Sequence, residues 1–134
     1  IQYARPYIYT TAQPPAVAGA TLAALNIVRD EPWRRARLAD LIARFRRNAT
    51  ELDLPITASP TPIQPLLLGG TERALDWGRA LERAGILVQA IRPPTVPRGG
   101  ARLRITLSAG HNEDQIDRLT EALALIQSRE RRVV

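Results

Sequence analysis

The alternation in Ala101–Leu107, ARLRITL, constrains this chain more than any other feature. Side chains along a strand point alternately to opposite faces. Leu103, Ile105 and Leu107 therefore share one face, and Arg102, Arg104 and Thr106 share the other. The first face is core material. The second is not, because an unpaired buried charge is costly. The chain is expected to build a sheet covered on one side, with its other side facing something anionic.

The other segments supply the cover. The 134 residues suit one domain, and with 45% hydrophobic but 4% aromatic residues the core must be mostly Leu, Ile, Val and Ala. Pro14-Pro15 opens a helix carrying Val17, Leu22, Leu25 and Val28 near one face, and Ala18, Gly19, Ala20, Ala23 and Ala24 keep it slim. Asp30-Glu31-Pro32 ends it and starts the next, with Leu38, Leu41, Ile42, Phe45 and Leu52 at helical spacing. Ile63–Leu68 reads as a short strand, and Pro65 suggests an edge position or an irregular entry to the sheet. Thr71 reads as the N-cap of a third helix that stops at Gly85. Ile86–Ile91, apolar on both faces, reads as the central strand, and Arg92–Gly100 as a Pro/Gly loop. Asn112-Glu113-Asp114 starts a last helix with Ile116, Leu119, Leu123 and Ile126 as its buried stripe. The start, Ile1–Gln13, reads as extended, and Ser128–Val134 as a fraying basic tail.

This order, α-α-β-α-β-β-α, predicts an α+β two-layer sandwich. A small three-stranded, mainly antiparallel sheet is covered by helices on one side, leaving Arg102 and Arg104 on the other. In a lobe of a larger enzyme, that face would be the wall of a cleft.

Composition also excludes chemistry. There is no cysteine, so disulfides and thiolate sites are excluded, and the single histidine, His111, argues against a histidine metal cluster or a Ser-His-Asp triad. No metal site is expected. All 19 basic residues are arginine, so the chain cannot form an internal lysine Schiff base with a carbonyl compound. No apolar run is long enough to span a bilayer and no signal peptide opens the sequence, so a cytoplasmic location is expected.

AIRPPTVPRGGARLRITLSAGHNEDQIDRL resembles the C-terminal part of the α-oxoamine synthases, and among them the 8-amino-7-oxononanoate synthases. These are pyridoxal-phosphate enzymes of the aspartate-aminotransferase fold type. ARPYIYTTAQPPAVAGATLAAL, WRRARLADLIARFR and IQPLLLG carry the resemblance over most of the chain. It implies a piece of a protein roughly three times as long. Residues 1–30 would lead from a missing large domain, and residues 31–134 would form the small domain. The lysine, the aspartate that pairs with the pyridine nitrogen and the stacking histidine would lie in the missing part, so this piece alone would be inactive. The implied reaction of the whole homodimeric enzyme condenses L-alanine with pimeloyl-CoA to 8-amino-7-oxononanoate, CO2 and CoA, a step of biotin synthesis.

The resemblance also implies site residues. Arg104 occupies the position that binds the amino-acid carboxylate, and a planar guanidinium fork suits that partner. Arg92 and Thr95, in RPPTVP, would border the acyl-CoA side on a loop stiffened by proline. Thr10 or Thr11 would reach the cofactor phosphate of a neighbouring subunit by a hydroxyl hydrogen bond. The plainer readings are a surface arginine for Arg104, a rigid connection for Arg92 and Thr95, and strand propensity for the two threonines. Arg102 reads as a salt-bridge partner of the large domain, and His111 as a local capping residue. Gly99 and Gly100 read as turn residues, and Trp33 and Trp77 as packing residues.

Other classes compete. Glycine C-acetyltransferase, serine palmitoyltransferase and 5-aminolevulinate synthase would share the Arg104 logic. A sequence pI near 11 and the arginines of residues 34–47 recommend a nucleic-acid-binding module. Asp40, Glu51 and Asp53 interrupt that charge, and no nucleic-acid motif appears. An interaction domain without chemistry is the third class.

Overall fold

The structure, a computed structural model, describes residues 2–132. It divides into two compact units, Ile1–Trp33 and Arg34–Val134.

The first unit holds α1 (Arg5–Ile8) and α2 (Pro15–Asp30). The expectation of an extended start is corrected: Pro6 sits in the first turn of α1, where a missing N–H costs nothing. Ile1 lies outside the described residues. Pro15 opens α2 for the same reason, and none of the sixteen residues of α2 is buried. Its apolar side chains Val17, Leu22, Leu25 and Val28 stay largely exposed, and so does Trp33, at 52%.

The second unit runs α3 (Trp33–Glu51), β1 (Ile63–Gly69), α4 (Thr71–Arg83), β2 (Gln89–Ile91), β3 (Ala101–Thr106) and α5 (Glu113–Arg131). The three strands are antiparallel in the order β1-β3-β2. This corrects the expected strand order: β3 is central, and the apolar run Ile86–Ile91 contributes only a short edge strand. Ile86, Val88 and Ala90 pack against the core, whereas Leu87 is 91% exposed. The run looks buried on both faces by composition, but none of its residues is fully buried and Leu87 and Gln89 are exposed.

β1 is the other edge, as Pro65 suggested. The carbonyl of Pro65 accepts from Thr57 N at 3.0 Å, on the side away from β3, so the missing proline N–H also faces away from the ladder. The inward faces carry Leu66, Leu68, Leu103 and Ile105, closed over by Phe45 of α3, Trp77 and Leu81 of α4, and Ile116 and Leu123 of α5. Fully burying side chains of this size stabilises the fold by about 1.5–3 kcal/mol each. In α3 the stripe ends on Ala49, and Leu52, beyond the helix, is partly exposed.

Among the described residues, buried side-chain polar groups are satisfied. Gln64, fully buried on β1, accepts from Arg46 Nη1 at 2.8 Å and donates Nε2 to the carbonyls of Ser59 and Thr61. Thr71 is not the cap of α4: Gly70 holds the N-cap in extended conformation without a side-chain bond, and Thr71 is the first helical residue. Gly85 follows the C-cap with φ +74, as a left-handed stop requires. Asn112 and Gln115 form a reciprocal capping box at α5.

Ion pairs tie the helices together. Arg44 of α3 grips Asp117 of α5 with Nε and Nη2 at 2.8 and 2.6 Å, while its Nη1 reaches Glu113 at 2.6 Å. The Arg44 hydrogen bond holds the Asp117 carboxyl below the ordinary aspartate value, helped by the Asn48 amide at 2.9 Å. Arg73 of α4 grips Glu130 of α5 at 2.7 and 2.8 Å and stands 5.6 Å over the ring of buried Trp77. Part of the C-terminal end expected to fray is thus helical. The helix continues to Arg131, which pairs with Asp53 at 2.9 Å. Val133 and Val134 lie outside the described residues.

Candidate functional site

Because β3 is central, its two faces are fixed by neighbours on both sides. Ala101, Leu103 and Ile105 are buried, Arg102 is half-buried, and Arg104 and Thr106 are exposed. Arg104 stands between Pro65 of β1 and Gln89 of β2 in the register. Its Nη2 donates to Oε1 of Gln89. Among the described residues no carboxylate pairs with Arg104, in contrast to Arg44, Arg73 and Arg131. A guanidinium whose only side-chain partner is a neutral amide keeps its charge and most of its five donors available to an anion.

Arg102 lies between Leu67 and Ile91 and turns back to its own loop, donating Nε to the carbonyl of Gly100 at 2.8 Å. A Cβ on Gly100 would sit 3.0 Å from the Pro97 carbonyl oxygen and 3.2 Å from Arg102 Nη2, so the loop is closely packed there. Arg92 and Thr95 are both exposed and close a tight turn, Thr95 N donating to the Arg92 carbonyl at 3.1 Å across the cis Pro93-Pro94 bond. Arg92 follows the end of β2, level with Ala101, so Arg104 is three residues further along the strand, about 10 Å at the usual rise. The two loop residues are thus brought to the same hairpin as Arg104 but not against it.

Thr10 and Thr11 belong to the first unit. Thr10 caps the α1 turn, its hydroxyl donating to the Pro6 carbonyl. Thr11 follows it in exposed, non-helical chain. Around them, Tyr3–Gln13 carries Arg5 and no acid. His111 has the local role expected of it. Its Nδ1 accepts from Ser108 N at 3.1 Å, and its carbonyl accepts from Arg37 at 2.9 Å.

Two features were missed in the sequence. Gln89 carried no signal as an arginine partner, because the pairing exists only through the β2–β3 register. The arginines of residues 34–47 recommended a nucleic-acid-binding face, yet Arg37, Arg44 and Arg46 all have partners inside the chain. A cleft of about 300 Å³ lies elsewhere, lined by residues including Ile86, Val88, His111, Ile116 and Arg118, and it does not include Arg104.

The aminotransferase class I and II family model matches residues 1–123. The chain belongs to that family. It is similar to the 8-amino-7-oxononanoate synthase of Stutzerimonas stutzeri (strain A1501), with 62% identity over 124 residues, covering 92% of this chain and 32% of that protein. The corresponding protein of Chromohalobacter salexigens is 59% identical over 130 residues, covering 97% of this chain and 34% of its own length. The chain therefore spans about a third of the length of the curated relatives it matches. Among solved structures, the 8-amino-7-oxononanoate synthase of Francisella tularensis superposes with a TM-score of 0.82 at 32% identity, covering 97% of this chain and 38% of that one. The Sphingomonas wittichii serine palmitoyltransferase superposes with a TM-score of 0.84 at 24% identity, covering 92% of this chain and 31% of that one, which is a likeness of fold alone. The α+β, three-stranded antiparallel arrangement is thus that of this class I and II aminotransferase family member and its relatives.

Proposed function

We propose that this chain supplies the amino-acid-binding wall of an 8-amino-7-oxononanoate synthase, which condenses L-alanine with pimeloyl-CoA to 8-amino-7-oxononanoate, CO2 and CoA. The observation that carries the reading is Arg104: a central-strand guanidinium, exposed, paired only with a neutral amide. Identity of 62% to proteins of that name favours this over other α-oxoamine synthases, whose fold the chain shares equally well. Residues 1–30 belong with a larger neighbouring domain, and residues 31–134 form the small domain.

Arg104 binds the alanine carboxylate through parallel N–H···O bonds and fixes the orientation of the α-carbon. Arg92 and Thr95, at the end of the same hairpin, border the acyl-CoA. The residues present also fit pyridoxal phosphate. Thr10-Thr11 offers hydroxyl donors in a segment with one arginine and no acid, suited to a phosphate. Since the Thr10 hydroxyl already donates to Pro6, Thr11 is the better-placed donor. When bound, pyridoxal phosphate supplies the electron sink for charge that develops on the amino-acid α-carbon. The lysine that would hold it covalently must come from outside these 134 residues, which contain none. The exposed apolar side chains of α2 suit packing against further protein, in a homodimeric, cytoplasmic enzyme.

The test is product formation by the longer protein carrying this chain, with L-alanine varied at saturating pimeloyl-CoA. Arg104→Ala raises the KM for L-alanine about tenfold or more, as loss of hydrogen bonds between charged groups requires. An unchanged KM rejects the reading.

A further inference from the structure

We infer that Gln89 is a positioning residue for Arg104, and that its being neutral is what leaves Arg104 free to bind a substrate carboxylate. This rests on the reading of Arg104 given above. Gln89 and Arg104 are directly opposed in the β2–β3 register, and the Arg104 Nη2 donates to the Gln89 amide oxygen. On the other side Arg104 faces Pro65, whose ring can neither accept from nor donate to it. The Gln89 amide is thus the one side-chain acceptor on Arg104 among the described residues.

Such a partner has two effects. It fixes the guanidinium plane from one corner, restricting the rotamers of a long side chain that would otherwise lose that freedom on binding. It does so without cancelling the charge. A carboxylate at the same place would take the bidentate grip that Asp117 receives from Arg44 and Glu130 from Arg73 in this same chain. The incoming substrate carboxylate would then have to displace it. Uncharged length and acceptor capacity are both needed at position 89, and glutamine provides them.

The experiment uses the longer protein carrying this chain, measuring kcat and KM for L-alanine and, by calorimetry, the dissociation constant of L-alanine. Gln89→Glu, nearly the same size, raises the KM and dissociation constant by about fivefold or more, the upper end of an exposed ion pair's contribution. Gln89→Leu, which removes the acceptor but adds no charge, raises them by about threefold, as loss of one hydrogen bond implies. In both, kcat at saturating L-alanine and the KM for the acyl thioester stay within twofold. A merely structural role would move all of these together, or none. In the 134-residue chain itself, the ¹⁵Nη signals of Arg104 report the same contact, resolved in wild type and averaged by rotation in Gln89→Leu. If Gln89→Glu leaves L-alanine binding within twofold while Arg104→Ala weakens it tenfold, Gln89 has no positioning role and the Arg104 reading stands. If Arg104→Ala also changes nothing, the reading of Arg104 itself fails.

Discussion

Leu103 and Arg104 are neighbours on β3, and truncating each should change stability very differently. Leu103 is fully buried, with Leu66 and Ala90 as its cross-strand partners. Its Cδ2 lies 4.0 Å from where a Cβ would stand on Gly78 of α4, a residue with no side chain to fill a gap. Leu103→Ala therefore leaves an unrelieved cavity and should cost about 3–4 kcal/mol. A unit of this size has only about 5–15 kcal/mol of stability in total, so that is a large share. Arg104→Ala removes an exposed side chain from an exposed amide partner, and water can replace the contact. Its effect should stay within about 0.5 kcal/mol. Urea unfolding of the 134-residue chain, followed by the fluorescence of buried Trp77 in a Trp33→Phe background, measures both. The Leu103→Ala midpoint should fall by about 2 M at ordinary urea dependence, and the Arg104→Ala midpoint should barely move. Equal losses for the two variants would mean that β3 does not separate a core face from a ligand face.

Three further outcomes follow from the same contacts. The carboxyls of Asp117 and Glu130 are held below their ordinary values by hydrogen bonds from Arg44 and Arg73. Their stabilisation is complete above the unfolded values, about pH 4, and is lost as pH falls through the lower folded ones. Asp117→Asn with Glu130→Gln should therefore flatten the acid limb of a stability-against-pH curve, and an unchanged limb contradicts the pairing. Gly85→Ala places a methyl group at φ +74 and 3.0 Å from Arg118 Nη2, so it should destabilise by about 1–2 kcal/mol in the same urea assay, whereas unaltered stability would exclude the left-handed stop. In the longer protein, Thr11→Ala should weaken retention of pyridoxal phosphate about tenfold, read from cofactor absorbance after gel filtration, and Thr10→Ala should do less; the reverse order would reassign the phosphate contact.

What could be read without coordinates was set by local physics. The two faces of β3, the edge position of Pro65 and the stop at Gly85 each depend on a residue and its immediate neighbours. The start of α5 was legible from Asn112-Glu113-Asp114, whereas Ile1–Gln13 was read as extended and holds a short helix at Arg5–Ile8. The strand order was not legible, because apolar composition in Ile86–Ile91 says nothing about which strand finds partners on both sides. The contacts at the end of α5, Glu130 with Arg73 and Arg131 with Asp53, join residues far apart in sequence and were not legible either. Gln64 drew no attention in the sequence and is a satisfied core residue, through Arg46, Ser59 and Thr61. At the candidate site, Arg104 was visible from alternation and resemblance. Gln89 was not, since only the sheet register places it opposite.

The central claim is that Arg104 binds a carboxylate, and a double-mutant cycle between protein and ligand tests it most directly. The dissociation constants of L-alanine and L-alaninamide are measured for the longer wild-type protein and for Arg104→Ala. The wild type should prefer the carboxylate over the neutral amide by about tenfold or more, and the variant should lose that preference. A preference that survives unchanged in Arg104→Ala would place the carboxylate on another residue and contradict the account.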